Sequence, residues 1–226
     1  MNYFVTGTDT GVGKTLISCA LLHAFAARGA SVVGMKPVAA GCDADGLNED
    51  VKQLRAASTI FASLGQINPY SFFHPIAPHI AARNAGVSIN LSRILESYNE
   101  LAAQAEVVIV EGAGGFQVPL NETQDSADLT VALGLPVIMV VGMRLGCLNH
   151  ALLTLRAIDD YGLTCAGWVA NIVDPDMAAL DENIEALQQR SKAPLLGVVQ
   201  HQAFPDARVI AAQLDINLLT DCVPDK

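Results

Sequence analysis

Asn2-Tyr3-Phe4-Val5-Thr6-Gly7-Thr8-Asp9-Thr10-Gly11-Val12-Gly13-Lys14-Thr15-Leu16 is the stretch on which the fold turns. Its first five residues read as a short buried strand, and an apolar helix is expected from about Leu16 to Ala27. Between them, Gly11 and Gly13 let backbone N–H groups converge on an anion with no Cβ in the way. Lys14 follows at the position that reaches β- and γ-phosphate oxygens, and Thr15 offers a hydroxyl for Mg²⁺. The helix N-terminus adds partial positive charge where the phosphates would sit. The usual spacing places a glycine five residues before Gly13. That slot is Thr8, with Gly7 one place earlier, so the pattern is partial at one end and full across Gly13-Lys14-Thr15. A Gly-rich turn that merely carries a lysine is the competing reading. The strand–helix junction favours a nucleotide-phosphate loop.

Composition narrows the rest. The 226 residues suit one α/β domain spanning 1–226, and with 51% hydrophobic and 16% charged residues the chain is not a disordered one. A net charge of −10 argues against a broad nucleic-acid or anionic-membrane surface. Apolar runs such as Leu135 to Val141 are too short to span a bilayer, and a strand starting near residue 2 leaves no room for a signal peptide. Five cysteines (Cys19, Cys42, Cys147, Cys165, Cys222) without C-x-x-C spacing read as reduced thiols of a cytoplasmic protein. His74 and His79 lack ligand-spaced neighbours and do not read as a zinc site.

Arg28-Gly29 stops the first helix, and Ser31 to Val38 reads as a second strand with Lys36-Pro37 near its end. A polar loop from Gly41 to Asn48 precedes a helix expected from Glu49 or Asp50 to Leu64. Residues Asn68 to His79 read as an irregular, proline-rich cover, followed by helices from Ile80 to Arg83 and Leu91 to Gln104. Glu106 to Glu111 is a continuous β-branched run, suited to a central parallel strand, and Gly112-Ala113-Gly114-Gly115 follows it. Strands at Leu135–Val141, Cys165–Ala170 and Leu195–Val199 alternate with helices near Asn149–Asp160 and Met177–Arg190. This alternation predicts a single doubly wound, mostly parallel sheet with helices on both faces. Ligands bind beyond the carboxyl ends of such strands, which gathers Lys14, Lys36, Glu111 and Asn171 at one edge.

Four candidates follow from position. Glu111, an acid at a strand end beside a phosphate loop, suits a Mg²⁺-organising carboxylate. Asp50 reads equally as a second metal contact or as a surface residue at a helix start. Lys36, in an apolar strand, either stabilises a transferring phosphoryl group or pairs structurally with an acid. Gly146-Cys147-Leu148-Asn149 opens a helix whose N–H groups could bind a carboxylate, or is an ordinary start capped by Asn149.

Several segments together resemble the dethiobiotin synthetase family: Phe4 through Thr15, Lys36-Pro37-Val38, Asn68-Pro69-Tyr70, Pro78-His79, Val110 through Gly115, Leu145 through His150 and Gly167 through Asn171. They run in order over roughly three-quarters of the chain. The resemblance implies a nucleoside triphosphatase fold of the P-loop type and an ATP- and Mg²⁺-dependent ring closure. In it 7,8-diaminopelargonate (7,8-diaminononanoate) takes up CO₂ as a carbamate, ATP converts this to a carbamic–phosphoric anhydride, and the second amine closes the ring of dethiobiotin.

By position, the resemblance makes Lys36 the active-site lysine, with Lys14 beside it. It makes Thr15, Asp50 and Glu111 the Mg²⁺ ligands. Gly11, Val12, Gly13, Lys14, Thr15 and Leu16 become the phosphate loop, and Glu111, Gly112, Ala113 and Gly114 a nucleotide-contacting turn. Asn171 matches the adenine-recognising position. Thr10, Lys36, Ala40 and the Gly146, Cys147, Leu148, Asn149 stretch match substrate contacts, the last reached across a homodimer interface. Three places depart from the pattern. Ala40 stands where relatives carry a hydroxyl, Ile172 where an acid can occur, and Gln200-His201-Gln202 where a proline-containing loop borders the adenine.

The alternative is a regulatory ATPase of the partitioning or septum-positioning type. Members of that class carry a signature lysine where this chain has Asp9, and they use basic surfaces for DNA or membrane. A cobyrinate-type amidation enzyme would bring an amidotransferase domain, for which this chain has no room. Dependence of ATP turnover on the diamine, rather than on DNA or lipid, separates the first two.

Overall fold

A computed structural model describes residues 1–222, with side chains described through Leu219; the Cys222 thiol lies outside the described residues. In chain order the elements are β1 (Asn2–Gly7), α1 (Lys14–Ala27), β2 (Val32–Met35), β3 (Val38–Ala40), α2 (Glu49–Ala57), α3 (Leu64–Ile67), β4 (Tyr70–Phe72), α4 (Pro78–Asn84), α5 (Leu91–Ala102) and β5 (Val107–Glu111). These are followed by α6 (Ser126–Leu133), β6 (Val137–Met143), α7 (Cys147–Asp160), β7 (Cys165–Ile172), α8 (Leu180–Arg190), β8 (Leu195–Val199), α9 (Ala207–Ala211) and a 3₁₀ segment, Ile216–Cys222.

Six strands form a sheet in the order β2-β5-β1-β6-β7-β8, parallel throughout. Parallel strands need crossovers, and the crossover helices cover both faces. Alternation along β1 divides the core: Tyr3 and Val5 pack with α1, α2 and α9, while Phe4 faces the α5 and α6 layer. Met139, Trp168 and Ile172 meet α7 and α8 further along. Every carboxyl end lies on one edge of this sheet, so the phosphate loop after β1, Lys36 after β2, and Glu111 and Asn171 within the last turns of β5 and β7 converge there.

Two of the differences from the expectation bear on the site. The strand over residues 31–38 is broken at Lys36-Pro37, because Pro37 has no N–H and the Lys36 N–H turns to the Ile67 carbonyl at 2.9 Å. Beyond the break, Val38–Ala40 pairs in parallel with Tyr70–Phe72 as a separate two-stranded sheet, so part of the segment expected to be irregular is a strand. The helix expected to reach Leu64 ends at Ala57. The Ser58 and Thr59 hydroxyls accept the Gly34 and Val32 N–H groups at 3.0 and 2.8 Å, satisfying the outer edge of β2. That edge takes the chain out of the helix.

Candidate active site

Beyond the carboxyl edge lies a cavity of about 800 Å³ bordered by the phosphate loop, Lys36, Asp50, Glu111 and the Pro75–Pro78 segment. The loop reaches its shape through left-handed backbone at Gly11 (φ 74°) and Gly13 (φ 90°). A Cβ at Gly13 would also overlap the Asn171 amide nitrogen. Val12 turns inward, held so closely between Gly7 and Gly142 that a Cβ at either would lie 2.6 or 2.7 Å from it. It therefore shapes the loop from below, and its side chain does not face the cavity.

Three strand ends supply the charge. Lys14, Lys36 and Glu111 are 7%, 5% and 0% exposed. The Lys36 Nζ donates to Glu111 Oε1 at 2.6 Å and to the Gly112 carbonyl at 3.2 Å, and pairs with Asp50 Oδ2 at 2.8 Å. The Thr15 hydroxyl lies 2.7 Å from Asp50 Oδ1 and 2.9 Å from Glu111 Oε1. Burial works against the Lys36 ammonium, but Glu111 and Asp50 outweigh it and hold its pKa above the ordinary lysine value. Burial, and then Lys36, lower Lys14 to about 8. For Asp50, burial is outweighed by Lys36 and Thr15, which keep its pKa low. Lys36 is thus paired with two acids, as the structural reading expects, and also lies on the cavity wall.

Thr15, Asp50 and Glu111 present only oxygen donors, and Glu111 Oε2 is buried with no hydrogen-bond partner among the described residues. A hydroxyl and two carboxylates fit Mg²⁺, which is held by a few protein oxygens together with substrate phosphates. Asp50 occupies the first turn of α2, where Asn48 caps the helix by accepting the Asp50 N–H at 3.0 Å. The Asn48 amide also donates to the Ala40 and Gly41 carbonyls at 3.2 and 3.1 Å. Asn48 is a supporting residue that the sequence reading passed over, although an Asn before an acidic first turn is a capping signal. Asn68 serves Lys36 in the same way, donating to its carbonyl at 2.6 Å.

Of the expected residues, the cavity gathers Thr10, Gly11, Gly13, Lys14, Thr15, Lys36, Ala40, Asp50, Glu111, Ala113 and Gly114. Leu16 packs against the core below, and Gly112 lies against the Phe4 ring. Asn171 sits beneath the loop, its amide donating to the Val12 carbonyl at 2.8 Å. Gly146, Cys147, Leu148 and Asn149 stand outside this cavity. The α7 helix starts at Cys147 with Gly146 as N-cap at φ 93°, so Asn149 is not its cap. The Cys147 side chain is buried in the core, leaving backbone and flanking side chains to meet a ligand.

A family model described as an AAA domain matches residues 1–204. Three proteins named ATP-dependent dethiobiotin synthetase BioD are similar over nearly the whole chain. The protein of Nitrosospira multiformis is 58% identical, covering 95% of this chain and 94% of its own. That of Aromatoleum aromaticum is 57% identical, covering 94% and 96%, and that of Ralstonia nicotianae 51%, covering 94% of each. Among solved structures, the MinC:MinD cell division complex of Aquifex aeolicus superimposes with a TM-score of 0.59 at 14% identity, covering 100% of this chain and 98% of that one. A ParA family ATPase from Chlorobium tepidum gives 0.57 at 14% identity, covering 98% and 92%. At such identities these two share the fold alone.

Proposed function

The chain belongs to the ATP-dependent dethiobiotin synthetase family, and from that premise we propose how its cavity carries the reaction. The activity is that of an ATP-dependent ligase of biotin biosynthesis, converting 7,8-diaminopelargonate and CO₂ to dethiobiotin. The reading rests on one observation: two buried ammonium groups, two carboxylates and a hydroxyl share a cavity behind a phosphate loop.

In this reading the Gly11–Leu16 loop binds the triphosphate of ATP through backbone N–H groups, and Lys14 supplies charge to the β- and γ-phosphate oxygens. Glu111 through Gly114 border the nucleotide, and Asn171 keeps its amide oxygen for the adenine. Thr15, Asp50 and Glu111 would hold Mg²⁺, which when bound neutralises phosphate charge. Lys36, with Thr10 and Ala40, holds the carbamate that forms on one amine of the diamine. A carbamate oxygen attacks the γ-phosphorus and ADP leaves. The second amine then attacks the carbamoyl carbon, and phosphate leaves as the ring closes. Lys36 offsets the charge that develops on the transferring group, and a fixed donor already surrounded by its partners needs little reorganisation. Ala40 contributes a methyl group only.

The Gly146–Asn149 stretch lies outside the cavity, and the 95%-exposed Leu145 precedes it, with Leu153 exposed on the same helix. A homodimer in which this stretch completes the partner's site accounts for both. We place the protein in the cytoplasm as a single-domain enzyme over 1–226. Among the described residues no helix is long and apolar enough to cross a membrane. Incubation with the diamine, bicarbonate and Mg-ATP tests the reading. Dethiobiotin by mass with equivalent ADP is expected; ATP turnover indifferent to the diamine but raised by DNA or lipid would instead favour the partitioning-type alternative.

A further inference from the structure

Asp9 is an acid in a loop shaped for polyphosphate, where an uncompensated carboxylate would repel the ligand. Its carboxylate is engaged on both oxygens. Oδ1 accepts the Thr10 N–H at 2.7 Å, and Oδ2 accepts a hydrogen bond from Arg144 Nη2 at 2.6 Å. Arg144 lies in the turn between β6 and α7, and its own carbonyl accepts the Cys147 N–H at 3.0 Å. The residue that reaches into the phosphate loop is therefore also the one that closes the turn starting α7. Two further bonds join the same segments: the Thr8 N–H to the Val140 carbonyl at 3.0 Å, and the Gly142 N–H to the Thr8 hydroxyl at 3.4 Å. Those two bonds fix the strand ends, and among the described residues the Asp9–Arg144 pair is the ion pair that ties the outer arm of the loop to the turn.

We infer that Asp9 and Arg144 are positioning residues for the substrate, holding Thr10 and the α7 turn in register while Arg144 cancels the charge Asp9 would present to the triphosphate. This rests on the reading above, in which Thr10 contacts the diamine in the chain's own site and Gly146–Asn149 the diamine in the partner's, so that the pair links the two. The pair is half-exposed, at 41% and 47% for its two side chains. A pair so exposed contributes up to about fivefold in an equilibrium.

A double-mutant cycle separates the two roles. Arg144→Ala removes the tether and bares Asp9, so the KM for the diamine and the Kd for Mg-ATP by calorimetry should each rise about three- to fivefold. Asp9→Asn removes the tether and the charge together, so the diamine KM should rise while the nucleotide Kd does not. In the double variant the diamine KM should be no worse than in either single variant, and the Kd should return to that of the wild type. Arg144→Lys should recover part of the KM, and kcat should change less than KM throughout. Diamine effects that multiply in the double variant, or a KM unchanged in both single variants, would overturn the inference. Wild-type enzyme without diamine-dependent turnover would instead overturn the functional reading on which it rests.

Discussion

Beyond β1, β2 and β5 the two lysines and the glutamate expected to act are buried, whereas beyond β6 the expected substrate stretch lies on an open surface. Lys36 illustrates the first region, with Glu111, Asp50 and the Gly112 carbonyl around its ammonium. Leu145, almost wholly exposed, illustrates the second, together with the half-exposed Arg144. The first region can organise phosphoryl chemistry within one chain. The second exposes apolar side chains, Leu145 and Leu153, which the proposed homodimer would cover.

The largest effect expected is at the closed end. Lys36→Ala should lower turnover at least about 10²- to 10³-fold, the loss typical for removing a fixed charge donor, while circular dichroism shows the fold retained. Normal turnover would mean that the buried cluster is structural only. Glu111→Ala should weaken Mg²⁺-dependent nucleotide binding by more than the roughly 10- to 100-fold typical for losing an outer partner of a metal ligand, read by calorimetry with and without the metal. A loss equal in both conditions would separate Glu111 from the metal.

Lys14 gives the comparison a pH signature. Its pKa in the free protein is lowered to about 8, and phosphate binds the protonated form. Nucleotide affinity should therefore fall as pH rises through about 8 and above, with net proton uptake on binding there. Calorimetry in buffers of different ionisation enthalpy measures that uptake; its absence would mean that Lys14 does not meet the phosphates as an ammonium. Gly13→Ala places a Cβ against Asn171 in left-handed backbone, and a thermal shift equivalent to ~1–3 kcal/mol is expected. At the open end the effect is smallest. Leu153→Asp should shift the protein from dimer to monomer in light scattering and leave Mg-ATP affinity unchanged; a dimer that persists would place the interface elsewhere.

At the closed end Lys36, Glu111 and the start of the phosphate loop were legible because they follow or end strands, which local pattern marks; Val107 to Glu111 and Asn2 to Gly7 are such runs. Asp50, in the first turn of α2, was instead favoured only by resemblance. The split of the 31–38 segment and the early end of α2 were not legible, since both are set by long-range bonds from Ser58, Thr59 and Ile67 to β2. Helix α6 carried readable signals that the hydrophobic pattern obscured: an Asp125–Asp128 capping box and Gly134 at its end. Asn171 shows a limit of another kind. Its position at the end of a strand could be read, although β7 runs through it to Ile172, but its bond to the Val12 carbonyl depends on how β7 lies beside the loop. Nor could spacing reveal that Asp9 and Arg144, at opposite ends of the edge in sequence, face each other.

The most direct test of the central claim is a single turnover with ¹⁸O-labelled bicarbonate, the diamine and Mg-ATP, comparing wild type with Lys36→Ala. If the buried cluster holds a carbamate against the γ-phosphate, wild type yields dethiobiotin and phosphate in equal amounts, with one labelled oxygen carried into the phosphate, and the variant yields neither. Unlabelled phosphate released without dethiobiotin, at the same rate in both proteins, would contradict it.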